Sequence, residues 1–237
     1  MLMSALKLIT RTVGAFLLLL VCTAAVCAIY SRNQRSRALR VMTSLNEVAV
    51  GTASEASIAA IVKSGAIRSV RCLNGENPQA AKEPCRETEE QYGLYLGFPY
   101  WLNRVFFEHP LLQYTFRYFE VHPWFVEISL TSRNGKINRI FCLTVVGRAD
   151  RATVVSRIDI LPKDLSEQSR DHLYTVFYVQ ERNLIPELHA WISPALPLQE
   201  RTQLTDYRLD CLTTVKGCLE PAEISPRLWY EYKRQSQ

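Results

Sequence analysis

The sequence predicts an α+β protein: an N-terminal transmembrane helix, then helices flanking an antiparallel sheet of five to seven strands. Three observations predict it. Residues 13–30 form an 18-residue run without a charged side chain. From residue 66 onward, apolar spacing changes from helical to alternating, and an Asn134-Gly135 turn separates two apolar runs. No helical pattern of ten or more residues lies between the central strands, which excludes the crossover helices of a parallel sheet.

In chain order, residues 1–12 are a short tail with two cations, Lys7 and Arg11. Residues 13–30, at about 1.5 Å per residue, extend about 27 Å, close to the thickness of a bilayer hydrocarbon core. They read as a signal anchor, and the lipid bilayer is the partner of that segment. The rival reading is a signal peptide cleaved after Ala28, because Val26-Cys27-Ala28 places small residues where a signal peptidase needs them. Val21 before Cys22 and Val26 before Cys27 are too bulky for a lipoprotein site.

Residues 31–65 read as a helical stalk and a helix-turn-helix entrance. Leu39, Met42 and Leu45 recur at three-residue steps, as a one-sided helix requires. After Gly51, Ile58, Ile61 and Val62 share a second helical face that ends at Ser64-Gly65. Residues 66–237 are the α+β domain. Strands are expected at 67–73, 91–98, 125–132, 137–146, 152–161, 172–180 and 188–193, with residues 133–136 as the turn of the central hairpin. Asn-Gly between alternating runs is the strongest local hairpin signal, since both turn residues must accept positive φ. Helices are expected over 197–207 and 221–233.

The composition is that of a folded chain: 237 residues, 48% hydrophobic, 22% charged, 9 Gly and 11 Pro. The net charge is +5. Without Lys7 and Arg11, residues 31–237 carry 26 basic against 23 acidic side chains, a scattered +3. Nucleic-acid binding is excluded, because phosphate contacts need clustered positive charge.

Two signals oppose each other on orientation. Arg32, Arg35, Arg37 and Arg40 follow the apolar run and outnumber Lys7 and Arg11 before it, which favours a cytosolic domain. The cysteines favour the other side. Cys72 and Cys85 bracket a polar loop with Gly75, Pro78 and Pro84, and Cys211 and Cys218 bracket L-T-T-V-K-G. Each pair is expected to form a disulfide, chemistry that persists outside the cytosol. Closing the 14-residue loop stabilises by about 3 kcal/mol in the chain-entropy model. The intervals do not fit zinc knuckles. Cys142, inside a strand-like run, reads as a small buried hydrophobe. The cysteines outweigh the arginines, so the domain is expected to be extracytoplasmic, with the cytosol-facing domain as the alternative.

Catalytic signatures are absent from the sequence. His109, His122, His172 and His189 stand in no metal-binding spacing, and Asp171-His172 near Ser166 and Ser169 lacks a nucleophile elbow. No phosphate-cradling glycine loop and no C-x2-C motif occurs. No cofactor and no metal is therefore expected. The least ordinary stretch is residues 92–119, with 11 of the chain's 24 aromatics. The plain reading places them in the core under the sheet. The sharper one makes residues 98–107, with Phe98, Tyr100, Trp101, Phe106 and Phe107, together with residues 111–119, a partner-binding or membrane-interface patch.

The run L-D-C-L-T-T-V-K-G-C at residues 209–218, followed by a Pro and Glu region and Trp229, resembles a pattern in uncharacterised bacterial single-pass envelope proteins with paired cysteines. The N-terminal anchor, the earlier cysteine pair and the central strands are similar to that group in order. The resemblance implies a periplasmic domain on the bacterial cytoplasmic membrane and transfers no catalytic residue. The functional expectation is a non-enzymatic binding or structural envelope protein that meets another envelope protein. The alternative from a different class is a hydrolase built on His172 or His189 with nearby carboxylates.

Overall fold

The computed structural model describes residues 2–46, 55–72, 88–133, 136–147, 153–160, 173–178, 187–192 and 196–235. The chain is α+β, as expected. Helix α1 (Leu2–Asn46) is followed by α2 (Glu55–Lys63), β1 (Ile67–Cys72), β2 (Thr88–Gly97), α3 (Tyr100–Glu108), α4 (Pro110–Arg117), β3 (Trp124–Arg133) and β4 (Lys136–Gly147). Then come β5 (Thr153–Ile160), β6 (Leu173–Tyr178), β7 (Glu187–Ile192), α5 (Leu198–Leu204), a 3-10 turn at Asp210–Thr213, α6 (Pro221–Ile224) and α7 (Pro226–Gln235).

The strands form one seven-stranded sheet in the order β1-β2-β3-β4-β5-β7-β6. It departs from a pure meander at one place. β7 pairs parallel with β5, and β6 lies outside it, antiparallel to β7. Hairpin β3–β4 closes with Arg133 opposite Lys136, leaving room for the two residues of the expected Asn134-Gly135 turn, which themselves lie outside the described residues.

The period-2 pattern builds one apolar sheet face. Leu96, Val126, Thr144, Ser156 and Leu188 stand in one row across β2, β3, β4, β5 and β7, and Leu94, Ile128, Cys142, Ile158 and Ala190 in the next. All ten are buried. Helices cover this face: the C-terminal part of α1 contributes Ala38, Val41, Met42 and Leu45, and the C-terminal region contributes Leu204, Leu209, Leu212, Ile224 and Leu228.

Residues 31–46 are therefore not a free stalk. α1 continues unbroken from the apolar run and lies on the sheet, with Ser31 and Gln34 also buried. The three- to four-residue apolar steps that read as a one-sided helix mark the stripe it buries. Two short helices between β2 and β3 were not expected. The stretch 221–233 is two helices, α6 and α7, because Pro226 has no N–H to continue the first and sits at the start of the second.

Candidate functional site

The apolar run ends where the domain begins, and this junction is where the chain's unusual residues meet. α1 is long and apolar enough to cross a membrane over Ile9–Leu45, with only 6% of its most apolar window covered by the rest of the chain. Phe16, Leu17, Leu18 and Leu19 are exposed. Farther along, one side of the same run is already in the core: Ala24 is fully buried, and Cys27 and Ala28 pack against the core cluster. The other side, Val26 and Ile29, stays 66% and 69% exposed.

The next residues tie the helix to the domain. The Tyr30 ring lies 5.9 Å from that of Phe98. The Trp124 indole N–H donates to Ser31 Oγ at 2.8 Å, both groups buried. Arg32 pairs with Glu120, whose φ of +60° lies in the left-handed region and ends the turn after α4. Arg35 donates to Thr213 Oγ1 at 2.6 Å and pairs with Asp210 at 3.3 Å, and Arg37 donates to the Ser64 carbonyl at 3.1 Å.

Helices α3 and α4 stand against this junction. Gly97, at φ +125°, turns the chain out of β2; a Cβ there would lie 2.5 Å from the Trp124 carbonyl oxygen. The buried Asn103 side chain then pins α3, its Nδ2 donating to Tyr95 Oη, the Phe98 carbonyl and the Trp124 carbonyl at 2.9, 3.1 and 3.2 Å. Gln113 Nε2 donates to the Phe106 carbonyl at 2.6 Å and locks α4 onto α3.

The expected aromatic patch splits in two. Phe98 and Phe106 are core residues, 1% and 3% exposed, in a series of tilted and edge-on ring contacts that runs Tyr30, Phe98, Phe106, Phe116. Their place in the patch is corrected: Phe98, in the bend after β2, and Phe106, on the inward side of α3, are both buried in the core. Phe107 is half-buried, its ring over Gly147. Tyr100 and Trp101 are exposed, at 75% and 66%. Leu111, Leu112, Tyr114 and Tyr118 join them, from the stretch 111–119 that the sequence also placed in the patch, whereas Phe116 of that stretch is buried. Gln113 and Phe116 turn inward, so Leu111, Tyr114 and Tyr118 fall on the outer side. Arg117 lies over the Tyr114 and Tyr118 rings, 4.3 and 5.1 Å from their centroids.

Of the expected disulfides, Cys211–Cys218 is formed, with Cα atoms 5.0 Å apart. Its loop packs on His122, whose Nε2–H donates to the Thr214 carbonyl at 2.6 Å. Gly217, at φ +69°, is required there because a Cβ would lie 2.9 Å from the His122 ring. Burial lowers the His122 pKa, against the upward pull of the Thr214 carbonyl, and the Arg117 charge lowers it further. Cys85 and the loop to Cys72 lie outside the described residues, as does His172.

The other chemistry-bearing group is on the opposite, partly open sheet face. Asp159 Oδ2 lies 3.6 Å from His189 Nε2, and Asp159 Oδ1 accepts from Arg139 Nε at 2.7 Å. Burial works to raise the Asp159 carboxyl, but hydrogen bonds from His189 and Arg139 outweigh it and hold the carboxyl below its ordinary range. A cleft of about 290 Å³ lies between α1 and α2, beside Arg37, Arg40, Ile61 and Lys63. A cavity of about 30 Å³, room for one water, lies beside Cys142 and Tyr207 under the sheet. Neither opens on Asp159 or His189. Among the described residues no group of three or more His, Cys, Asp or Glu could hold a metal ion.

No protein-family model matches the chain, and no curated protein or solved structure matches it.

Proposed function

We propose that this chain is a single-pass membrane protein whose α+β domain stands on the extracytoplasmic face of a bacterial cytoplasmic membrane. It serves there as a non-enzymatic binding or structural component of the envelope. The observation that carries the reading is the Cys211–Cys218 disulfide in a domain built directly onto an apolar helix. Retention of that helix is favoured over cleavage after Ala28, because Ala24 and Cys27 already pack with the core. The arginine count that favours the cytosol has a second explanation: Arg32, Arg35 and Arg37 each bind a partner within the domain.

The hydrolase alternative has one observation in its favour, the Asp159–His189 pair. A catalytic pair needs a concave site beside it, and neither cavity described above opens on these residues. The pair reads instead as a structural group, with the buried Asp159 held by Arg139.

The test is peptide mapping without reductant on protein taken from native membranes with free thiols blocked at lysis. The reading expects Cys211 joined to Cys218, Cys72 joined to Cys85, and recovery of peptides that include residues 12–31. Alkylated Cys211 and Cys218 would move the domain to the cytosol; a chain beginning at residue 29 would remove the anchor.

A further inference from the structure

We infer that the outer face of α3 and α4 is a second membrane contact, seated in the headgroup layer beside the point where α1 leaves the bilayer. The inference rests on the reading of α1 as a membrane helix. Ala24 to Tyr30 spans six residues, about 9 Å of rise. Over that distance the domain covers one side of the apolar run, while Val26 and Ile29 on the other side remain exposed. Apolar side chains so placed need hydrocarbon around them. The domain elements beside this stretch therefore stand at the depth of the outer acyl region and the headgroups.

Those elements are the bend that leads into α3, through Phe98 on Tyr30, and the turn that follows α4, through Glu120 on Arg32. They carry a dense cluster of exposed large apolar side chains: Tyr100, Trp101, Leu111, Leu112, Tyr114 and Tyr118 within 19 residues. Outside α1 and this segment, the exposed large hydrophobics among the described residues are scattered singly. The chemistry is that of an interfacial helix pair: aromatic rings with polar tips, apolar leucines, and cations within reach of lipid phosphates. Arg117, stacked on Tyr114 and Tyr118, and Arg104, paired with Glu108 at 2.7 Å, supply the cations. The occupant is the bilayer surface itself, because the segment that carries the patch is tied at both ends, through Phe98 and Glu120, to the two residues of α1 on either side of the end of its apolar run, Tyr30 and Arg32.

The experiment is tryptophan quenching in the full chain reconstituted into phosphatidylcholine vesicles, with bromine on the acyl carbons nearest the headgroup. The emission of Trp101 is taken as the difference between wild type and Trp101→Phe, a substitution at an exposed site. In parallel, Phe16→Trp is read against bromine at the acyl-chain ends. The inference expects loss of most of the Trp101 emission with shallow bromines, and quenching of the Phe16→Trp emission by deep ones. Deep quenching of Phe16→Trp with an unquenched Trp101 overturns the inference and leaves the anchor standing; the patch then belongs to a protein partner. No quenching at either position overturns the anchor, and the inference with it.

Discussion

The Trp124 indole N–H donates to Ser31 Oγ, on the residue directly after the apolar run, and both groups are buried. This bond joins the first residue of the central hairpin to the helix that carries the domain. Removing one partner leaves a buried donor without an acceptor, and the cost of that orphan exceeds the value of the bond. Ser31→Ala is expected to destabilise the domain by about 1–3 kcal/mol. Adding Trp124→Phe to Ser31→Ala should cost less than Trp124→Phe costs alone. Denaturant midpoints of the three variants in detergent check this; additive losses would show that the bond contributes nothing.

Gly97 is the turn on which α3 depends. At φ +125° a side chain is strained, and its Cβ would meet backbone rather than a movable side chain. Gly97→Ala is expected to lower stability by about 2 kcal/mol or more. Gly93, whose Cβ would meet nothing within 4 Å, is the control and should change little as Ala. Equal midpoints for the two variants would contradict the geometry.

Cys142 lies at the centre of the apolar face, and burial pushes its thiol up to about 12. Because the thiolate is the reactive form, Cys142 should resist maleimide in the folded chain at pH 8 and react on unfolding. Mass spectrometry of tryptic peptides reads this directly, and labelling at the rate of a free thiol would place the residue outside the core.

His122 gives the disulfide loop a pH dependence. Its folded pKa lies below the ordinary 6.5 because burial opposes the charge. As pH falls through 6.5 the unfolded chain takes up a proton that the folded one does not, so stability is lost. The contribution is complete above that value and declines until the folded pKa is passed. His122→Gln keeps a donor for the Thr214 carbonyl without the titration. Its denaturant midpoint should change less between about pH 8 and about pH 5.5 than that of the wild type, and parallel curves would assign the loss to other groups.

Much of the sheet was legible because period-2 alternation and an Asn-Gly turn are local signals. Val126, Ile128 and Leu130 announce their own burial. The parallel pairing of β7 with β5 was not legible, since strand order depends on contacts between segments far apart in sequence. In the candidate site, the aromatic density of residues 92–119 pointed to the right stretch. It did not say which rings face inward, because the sequence reading assigned no helix there. Only with α3 and α4 in place do Phe98 and Phe106 separate from Tyr100 and Trp101. The sequence likewise showed four arginines after the apolar run as a charge count. The partners of the first three, Glu120 for Arg32, Thr213 for Arg35 and the Ser64 carbonyl for Arg37, lie 27 to 178 positions away.

Helix α1 passes from its apolar run into the core without a break, over 45 residues and about 68 Å. A tethered domain can swivel about its linker and search the space above a membrane. With the apolar run embedded as proposed above, this domain would have no hinge at its base, because α1 is unbroken from the run into the core, and tilt or roll of the rod would turn the sheet with it. The reach of such a domain would be a narrow arc, and neighbours would meet it in one attitude.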